Sequence, residues 1–155
     1  MCSSDLPAAK GSERLLLPDD LAPFTAFSVP SNPQYALVSS LDTMSAARRD
    51  FGSMVDDVSR YSSAVSDRAL TSRGGMADLP CHAILDRGRL IGFWEYDVEK
   101  QSIVSALFGG SRDHALSAAI HETESYVREQ LGDARSFSLD SPASRAPKIE
   151  ALRRM

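Results

Sequence analysis

Two arginines, Arg87 and Arg89, have the clearest potential for binding chemistry in this sequence, because they lie on either side of Gly88 at a predicted turn. Guanidinium groups recognise phosphate through paired N–H donors, and the end of a stiff two-stranded ribbon brings them within reach of a DNA backbone or minor groove. Arg145 and Lys148, near the end of the sequence, carry positive charges that could also contact phosphate. The sequence therefore predicts DNA-binding roles for Arg87, Arg89, Arg145 and Lys148, with solvated surface charges as the alternative.

Acid–base and metal chemistry have little support. His114 and His121 are seven residues apart, whereas two zinc ligands on one helix are three or four apart. Glu122 and Glu129 have the same spacing, about 10 Å along a helix, which is typical of a solvated face. The run Gly109–Ser111 completes neither a phosphate-binding loop nor a nucleophile elbow. We therefore expect no catalytic residue, no metal and no cofactor.

The two cysteines, Cys2 and Cys81, form no C-x-x-C pair, which favours a reduced compartment over a disulfide or a zinc site. Cys81 directly precedes His82 on a predicted strand. Neighbouring side chains on a strand point to opposite faces, so the two cannot form a thiolate–imidazolium couple or share a metal. Cys81 is predicted to lie in the core.

Trp94 and Tyr96 lie two residues apart and therefore share one face of a predicted strand. Such a pair could form a platform on which a nucleic-acid base stacks, although plain core packing is the simpler alternative. Phe93 and Ile91 are expected on the opposite face of the same strand.

The strands that position these residues form a meander. Apolar and β-branched runs at 81–86 and 90–96 are joined by a tight turn, and a third strand follows at 102–108. Flanking strands are predicted at 35–39 and 135–139. The sheet is therefore expected to be antiparallel.

Two main helices are predicted beside this sheet. An apolar stripe predicts a helix over 43–59, and a stronger pattern predicts one over 113–131, capped by Asp113 and closed by Gly132. A short terminal helix is expected to begin at Pro147. Residues 62–78 have no periodicity and predict a mobile or disordered connection. The fold class is α+β, with the antiparallel sheet packed against the two main helices.

The composition is that of a soluble globular domain: 155 residues, 43% hydrophobic and 25% charged, with a net charge of −4. The acidic balance argues against a surface given over entirely to nucleic acid. No apolar run approaches the roughly 20 residues of a membrane-spanning helix, and no secretory signal is recognisable, so we expect a cytoplasmic chain with no membrane partner. Residues 1–11 are expected to be loose, with a single domain over 12–155.

Several long runs in this chain resemble one protein family. The run at 78–97, DLPCHAILDRGRLIGFWEYD, and the run at 130–142, QLGDARSFSLDSP, resemble the bacterial winged-helix DNA-binding family that includes the alkyl-base and crosslink DNA glycosylases. The upstream runs LLLPDDL at 15–21, ALVSSLD at 36–42 and RRD at 48–50 resemble the preceding segment of the same proteins. The resemblance covers about residues 12–155.

Members of that family carry tandem winged-helix units first and a small β-rich domain last, and this chain resembles only the last part. Its glycosylases carry a Gln-Φ-Gln or Gln-Φ-Asp motif, where Φ is apolar, and Gln34, Gln101 and Gln130 complete no such pattern. The resemblance therefore implies a noncatalytic DNA-binding or DNA-repair accessory module without base-excision activity. The alternative is a protein-interaction or truncated remnant domain that docks on a separate winged-helix protein and does not contact DNA. The sequence leaves the oligomeric state open.

Overall fold

The computed structural model describes residues 6–7, 15–42, 51–70 and 79–155. The chain divides into two compact units, 1–31 and 32–155. The assignment of 12–155 to one domain stays a prediction.

The described part of the first unit, residues 6–7 and 15–31, contains short elements only. Strands β1 (Leu6–Pro7) and β2 (Leu15–Leu16) pair antiparallel, and a 3-10 turn over Pro18–Asp20 leads into helix α1 (Leu21–Ala26). Pro23 is the third residue of α1, where its missing N–H has no intrahelical partner to lose. The spacing of the prolines therefore still permits the short helix α1 over Leu21–Ala26.

The second unit is built on one four-stranded antiparallel sheet. Its strands are β3 (Tyr35–Val38), β4 (His82–Asp86), β5 (Arg89–Asp97) and β6 (Ser102–Leu107), in the order β3-β4-β5-β6. The meander of β4, β5 and β6 and the flanking strand β3 confirm the predicted sheet. The turn between β4 and β5 has two central residues with positive φ, Arg87 at 48° and Gly88 at 79°, as a type I′ hairpin turn requires.

A bulge in β5 changes which side chains share a face. The register passes from Ile84 opposite Gly92 to Leu85 opposite Leu90, which leaves Ile91 as an extra residue. As a result Phe93 packs in one core cluster and Ile91 packs with Trp94 in the other. The prediction that Phe93 and Ile91 share a face is therefore wrong.

Helices and turns cover both faces of the sheet. Helix α3 (His114–Tyr126), extended by a π-helical turn over Val127–Leu131, packs against the face that carries Trp94 and Tyr96. The opposite face is covered by a 3-10 turn (Phe51–Met54), helix α2 (Val58–Val65) and helix α4 (Pro142–Arg154). The α+β fold class is confirmed.

The cap predictions for α3 hold. The carboxylate of Asp113 accepts the N–H of Leu116 at 2.7 Å, and Gly132 closes the helix at φ 73°.

A helix is predicted over 43–59. Residues 43–50 of this range lie outside the described part, and over residues 51–59 the prediction of a continuous helix is wrong. Asp57 has extended backbone, and its side chain accepts the N–H groups of Ser59 and Arg60, so a helix begins where the predicted one ends. This helix, α2, occupies the start of the connection predicted to be mobile over 62–78. Leu70 in the same connection is fully buried, and residues 71–78 lie outside the described part.

The last two predicted elements are also corrected. Residues 135–139 form a loop with a turn in place of a strand. The terminal helix begins at Pro142, five residues before Pro147, because Ser141 and Ser144 form a reciprocal capping box.

Candidate interaction surfaces

The hairpin tip carries Arg87 and Arg89 where the sequence predicts them, and each is paired with a carboxylate. The Nη2 of Arg87 lies 2.8 Å from Asp86 Oδ2, and the Nη2 of Arg89 lies 2.5 Å from Asp56 Oδ1. Arg89 also donates to the backbone carbonyls of Ser53 and Val55, both at 3.3 Å. The two positive charges of the tip are therefore compensated by carboxylates of the same unit.

The electrostatics of the tip agree with this pairing. The hydrogen bond from Arg87 is the main reason that the pKa of Asp86 lies below its usual range, and the same bond raises the pKa of the Arg87 guanidinium. A phosphate approaching the tip would compete with carboxylates that already hold both guanidinium groups.

Arg145 lies inside the second unit, with a side chain that is only 1% exposed. Its Nη1 donates to the carbonyl of Ala134 at 2.7 Å and to that of Tyr96 at 3.3 Å, and its Nη2 lies 2.9 Å from Asp133 Oδ1. Tyr96 is seven residues along β5 from Arg89, about 23 Å at 3.3 Å per residue. The structure therefore places Arg145 far from the hairpin tip and uses it to bind backbone.

Lys148 performs a similar task one turn further along α4. Its ammonium donates to Ser136 Oγ at 3.1 Å and to Asp140 Oδ2 at 3.3 Å. Burial acts to raise the pKa of Asp140, but the charge of Lys148 and the hydrogen bonds outweigh it, so that pKa lies below its usual range. Lys148 thus fixes the segment that contains Ser136 and Asp140.

That segment, residues 132–141, is termed the displayed loop. Arg145 and Lys148 bind it from the side of α4, and Ser40 Oγ donates to the carbonyl of Ser136 at 2.5 Å. A turn closes it, with the N–H of Asp140 donating to the carbonyl of Phe137 at 3.0 Å. The loop therefore has a well-ordered inner side.

The outer side of the displayed loop is apolar. Phe137 is 49% exposed and Leu139 is 82% exposed, and Leu131, just before the loop, is also exposed. The prediction of a strand over 135–139 missed this surface, because apolar–polar alternation also describes an ordered loop with two outward apolar side chains. Gly132 and the Asp140–Ser141–Pro142 run are the turn-forming signals that could have indicated a loop.

Glu95 is a buried polar residue that the sequence analysis did not single out. Its side chain is fully buried, and among the described residues neither oxygen accepts a hydrogen bond of normal geometry. Burial raises its pKa, and the Ser136 hydroxyl, the Lys148 charge and the Cys81 thiol offset only part of that effect. Solvent reaches neither Glu95 nor Cys81 in the folded chain.

His82 lies on the opposite face of the sheet from Cys81. Its ring stacks on Trp94 with the centroids 4.2 Å apart, and its Nδ1 accepts the N–H of Ser40 at 3.0 Å. Burial lowers the pKa of His82 to about 4, and burial also raises the pKa of the Cys81 thiol. His82 is therefore neutral at pH 7, and the prediction that Cys81 lies in the core is confirmed.

Trp94 and Tyr96 share a face, as predicted, and both are buried. The indole N–H of Trp94 donates to the carbonyl of Ala83 at 3.1 Å. Helix α3 covers this face, so the pair packs in the core and does not form an open stacking platform.

Within the described ranges, no group of three or more His, Cys, Asp or Glu side chains is placed to hold a metal ion. None of the helices in the described part of the chain has both the length and the apolar character needed to cross a membrane. Comparisons with family models, with curated proteins and with solved structures find no match to this chain.

Proposed function

We propose that this chain is a noncatalytic protein-interaction module that docks through its displayed loop on a separate winged-helix protein. The observation that carries the proposal is the exposure of Phe137 and Leu139 on a loop that Arg145 and Lys148 hold from inside. Clustered exposed apolar side chains are typical of interaction sites, and an ordered loop loses little conformational entropy when it binds.

The class of partner follows from the sequence resemblance. Residues 12–155 resemble the last part of longer proteins in which winged-helix units come first. A module that resembles this last part is expected to carry a surface that suits such units. The partner proposed here is therefore a protein with tandem winged-helix units.

DNA binding by the chain itself is the second candidate. The observation that favours it is the position of Arg87 and Arg89 at the solvent-facing end of the β4–β5 hairpin. Both arginines are paired with carboxylates, and Arg145 and Lys148 bind the displayed loop. The protein-interaction proposal therefore ranks first.

The test is a calorimetric titration of the purified chain into the tandem winged-helix region of a longer family member. We expect micromolar binding by the parent and at least about tenfold weaker binding by the Phe137→Ser, Leu139→Ser double variant. The matched control is Val58→Ser, which removes an exposed apolar side chain from the start of α2 and should leave the affinity unchanged.

Circular dichroism and thermal unfolding establish that each variant is folded. Equal affinity of the folded double variant and the parent would reject the displayed loop as the docking surface. If the parent does not bind the winged-helix protein but does bind duplex DNA, the second candidate, DNA binding by the chain itself, takes the place of this proposal.

A further inference from the structure

Glu95 is a fully buried carboxyl group next to the displayed loop. Among the described residues, neither of its oxygens accepts a hydrogen bond of normal geometry. Ser136, the buried residue of the loop, lies close enough to interact with it, and burial raises the pKa of Glu95. A carboxylate is costly to bury without donors, so the closed loop favours the neutral form of Glu95.

Ser136 and Lys148 hold the loop through Asp140. The Ser136 hydroxyl donates to Asp140 Oδ2 at 3.2 Å, and the Lys148 ammonium lies 3.3 Å from the same oxygen. Both groups also stabilise the ionised form of Glu95, Ser136 by its hydroxyl proton and Lys148 by its charge. A hydroxyl has a single proton to donate, so an ionised Glu95 competes with Asp140 for it. A neutral Glu95 leaves the contacts of Asp140 intact.

The charged and titratable groups around Glu95 lie on the sheet, on the loop and on α4. The Cys81 thiol, just before β4, is neutral because burial raises its pKa well above the usual value. Asp140 in the loop has a pKa below the usual range and is ionised. Helix α4 contributes the positive charges of Arg145 and Lys148, and β6 places an apolar residue opposite Glu95. Of Glu95 and Asp140, Glu95 is therefore the one that titrates above the usual carboxyl range.

We propose that Glu95 is a proton-controlled latch of the displayed loop. With a proton on Glu95 the loop stays closed, and loss of that proton shifts the loop toward an open state. In the open state water hydrates the carboxylate, and Phe137 and Leu139 lose their fixed arrangement. The latch is a property of the free chain, so this inference does not depend on the partner proposed above.

Proton linkage gives the sign of the effect. The closed loop holds the Glu95 proton more tightly than the open loop, in which the carboxyl group meets water, so the opening equilibrium rises with pH. One proton gives a rise of about tenfold per pH unit at most. The rise begins near the usual carboxyl pKa of 4.5 and ends at the raised pKa of the closed state.

Hydrogen exchange of the free chain, followed by mass spectrometry between about pH 5 and about pH 8, measures opening of the loop. Protection factors remove the intrinsic pH dependence of amide exchange. In the parent, we expect residues 132–141 to be less protected than α3. Their protection should fall at least about threefold across this range relative to the same residues of the Glu95→Gln variant.

Glu95→Gln keeps the shape of the side chain and removes its titration. Glu95→Met is a second neutral variant, and protection of its loop should depend on pH as it does in Glu95→Gln. The matched control is Glu99→Gln, which removes an exposed carboxyl group from the turn after β5 and should behave as the parent does.

Circular dichroism and thermal unfolding verify that each of these variants is folded. If loop protection has the same pH dependence in the parent and in both neutral variants, Glu95 is not the latch. Equal protection of the loop and of α3 in the parent would show that the loop opens only when the whole unit unfolds, and would also overturn the proposal.

Discussion

Two arginines share the carboxylate of Asp133, and their surroundings give them different roles. Arg135 is 53% exposed and lies 3.0 Å from Asp133 Oδ2, an arrangement that contributes little to stability in water. Arg145 is buried and also binds two backbone carbonyls, so its loss would take away their donor and would leave Asp133 with the exposed Arg135 in place of a buried guanidinium. The sequence could not separate these roles, because burial of Arg145 depends on α4 packing against β5.

The buried imidazole of His82 makes folding stability depend on pH. Its pKa of about 4 in the folded protein lies below the usual value of 6.5, so the unfolded chain binds the proton more readily. Stability from this group is complete above pH 6.5 and is lost as the pH falls toward 4. The raised pKa of Glu95 acts in the opposite sense, because a neutral carboxyl favours the folded state as the pH falls.

We therefore predict that the parent loses about 2 kcal/mol more unfolding free energy between pH 7 and pH 5 than His82→Asn does. Urea unfolding at the two pH values measures the difference. His121→Asn, a change at an exposed position on α3, serves as the control and should retain the pH dependence of the parent. Identical losses in the parent and His82→Asn would show that His82 is not the group responsible.

Elements whose signals are local were predicted well. The hairpin of β4 and β5 depends on a two-residue turn, and the start of α3 depends on the Asp113 cap; both are visible within a few residues of sequence. The helix predicted over 43–59 is broken before α2, and β5 is bulged at Ile91. At both places a local signal, the Asp57 cap or the alternation along the strand, competes with packing against residues that are distant in the sequence. An apolar stripe or an alternating pattern alone does not contain that information.

Gly92 shows why the bulged strand tolerates only a glycine next to the extra residue. A Cβ at Gly92 would collide with the backbone carbonyl oxygen of Ala106 on β6, which the sheet cannot move without breaking its ladder. We predict that Gly92→Ala lowers the unfolding free energy by about 1–3 kcal/mol, measured by urea denaturation.

Gly109→Ala is the matched control, because a Cβ there would meet only the flexible side chain of Arg60. Its effect should lie within about 0.5 kcal/mol of the parent. Equal unfolding free energies for Gly92→Ala and the parent would show that β5 and β6 can separate locally at low cost.

At the scale of the whole molecule, a net charge of −4 and extensive internal ion pairing leave little positive potential for nucleic acid. The hairpin tip offers two guanidinium groups, so a plot of log affinity against log salt for duplex DNA should have a slope no steeper than about −2. Removal of the Asp56 carboxylate, which pairs with Arg89, should make the electrostatic potential at the hairpin tip more positive.

The last prediction uses that carboxylate to separate the two candidate functions. In an anisotropy titration with a labelled duplex at low salt, we expect weak binding by the parent and weaker binding by Arg87→Ala, Arg89→Ala. Asp56→Asn should bind more tightly than the parent, because Arg89 then loses the 2.5 Å contact that competes with phosphate. A neutral control, Ser59→Ala on α2, should match the parent. Tight parental binding with a slope steeper than about −4 would require more phosphate contacts than the tip provides, and would make DNA the primary ligand of this chain.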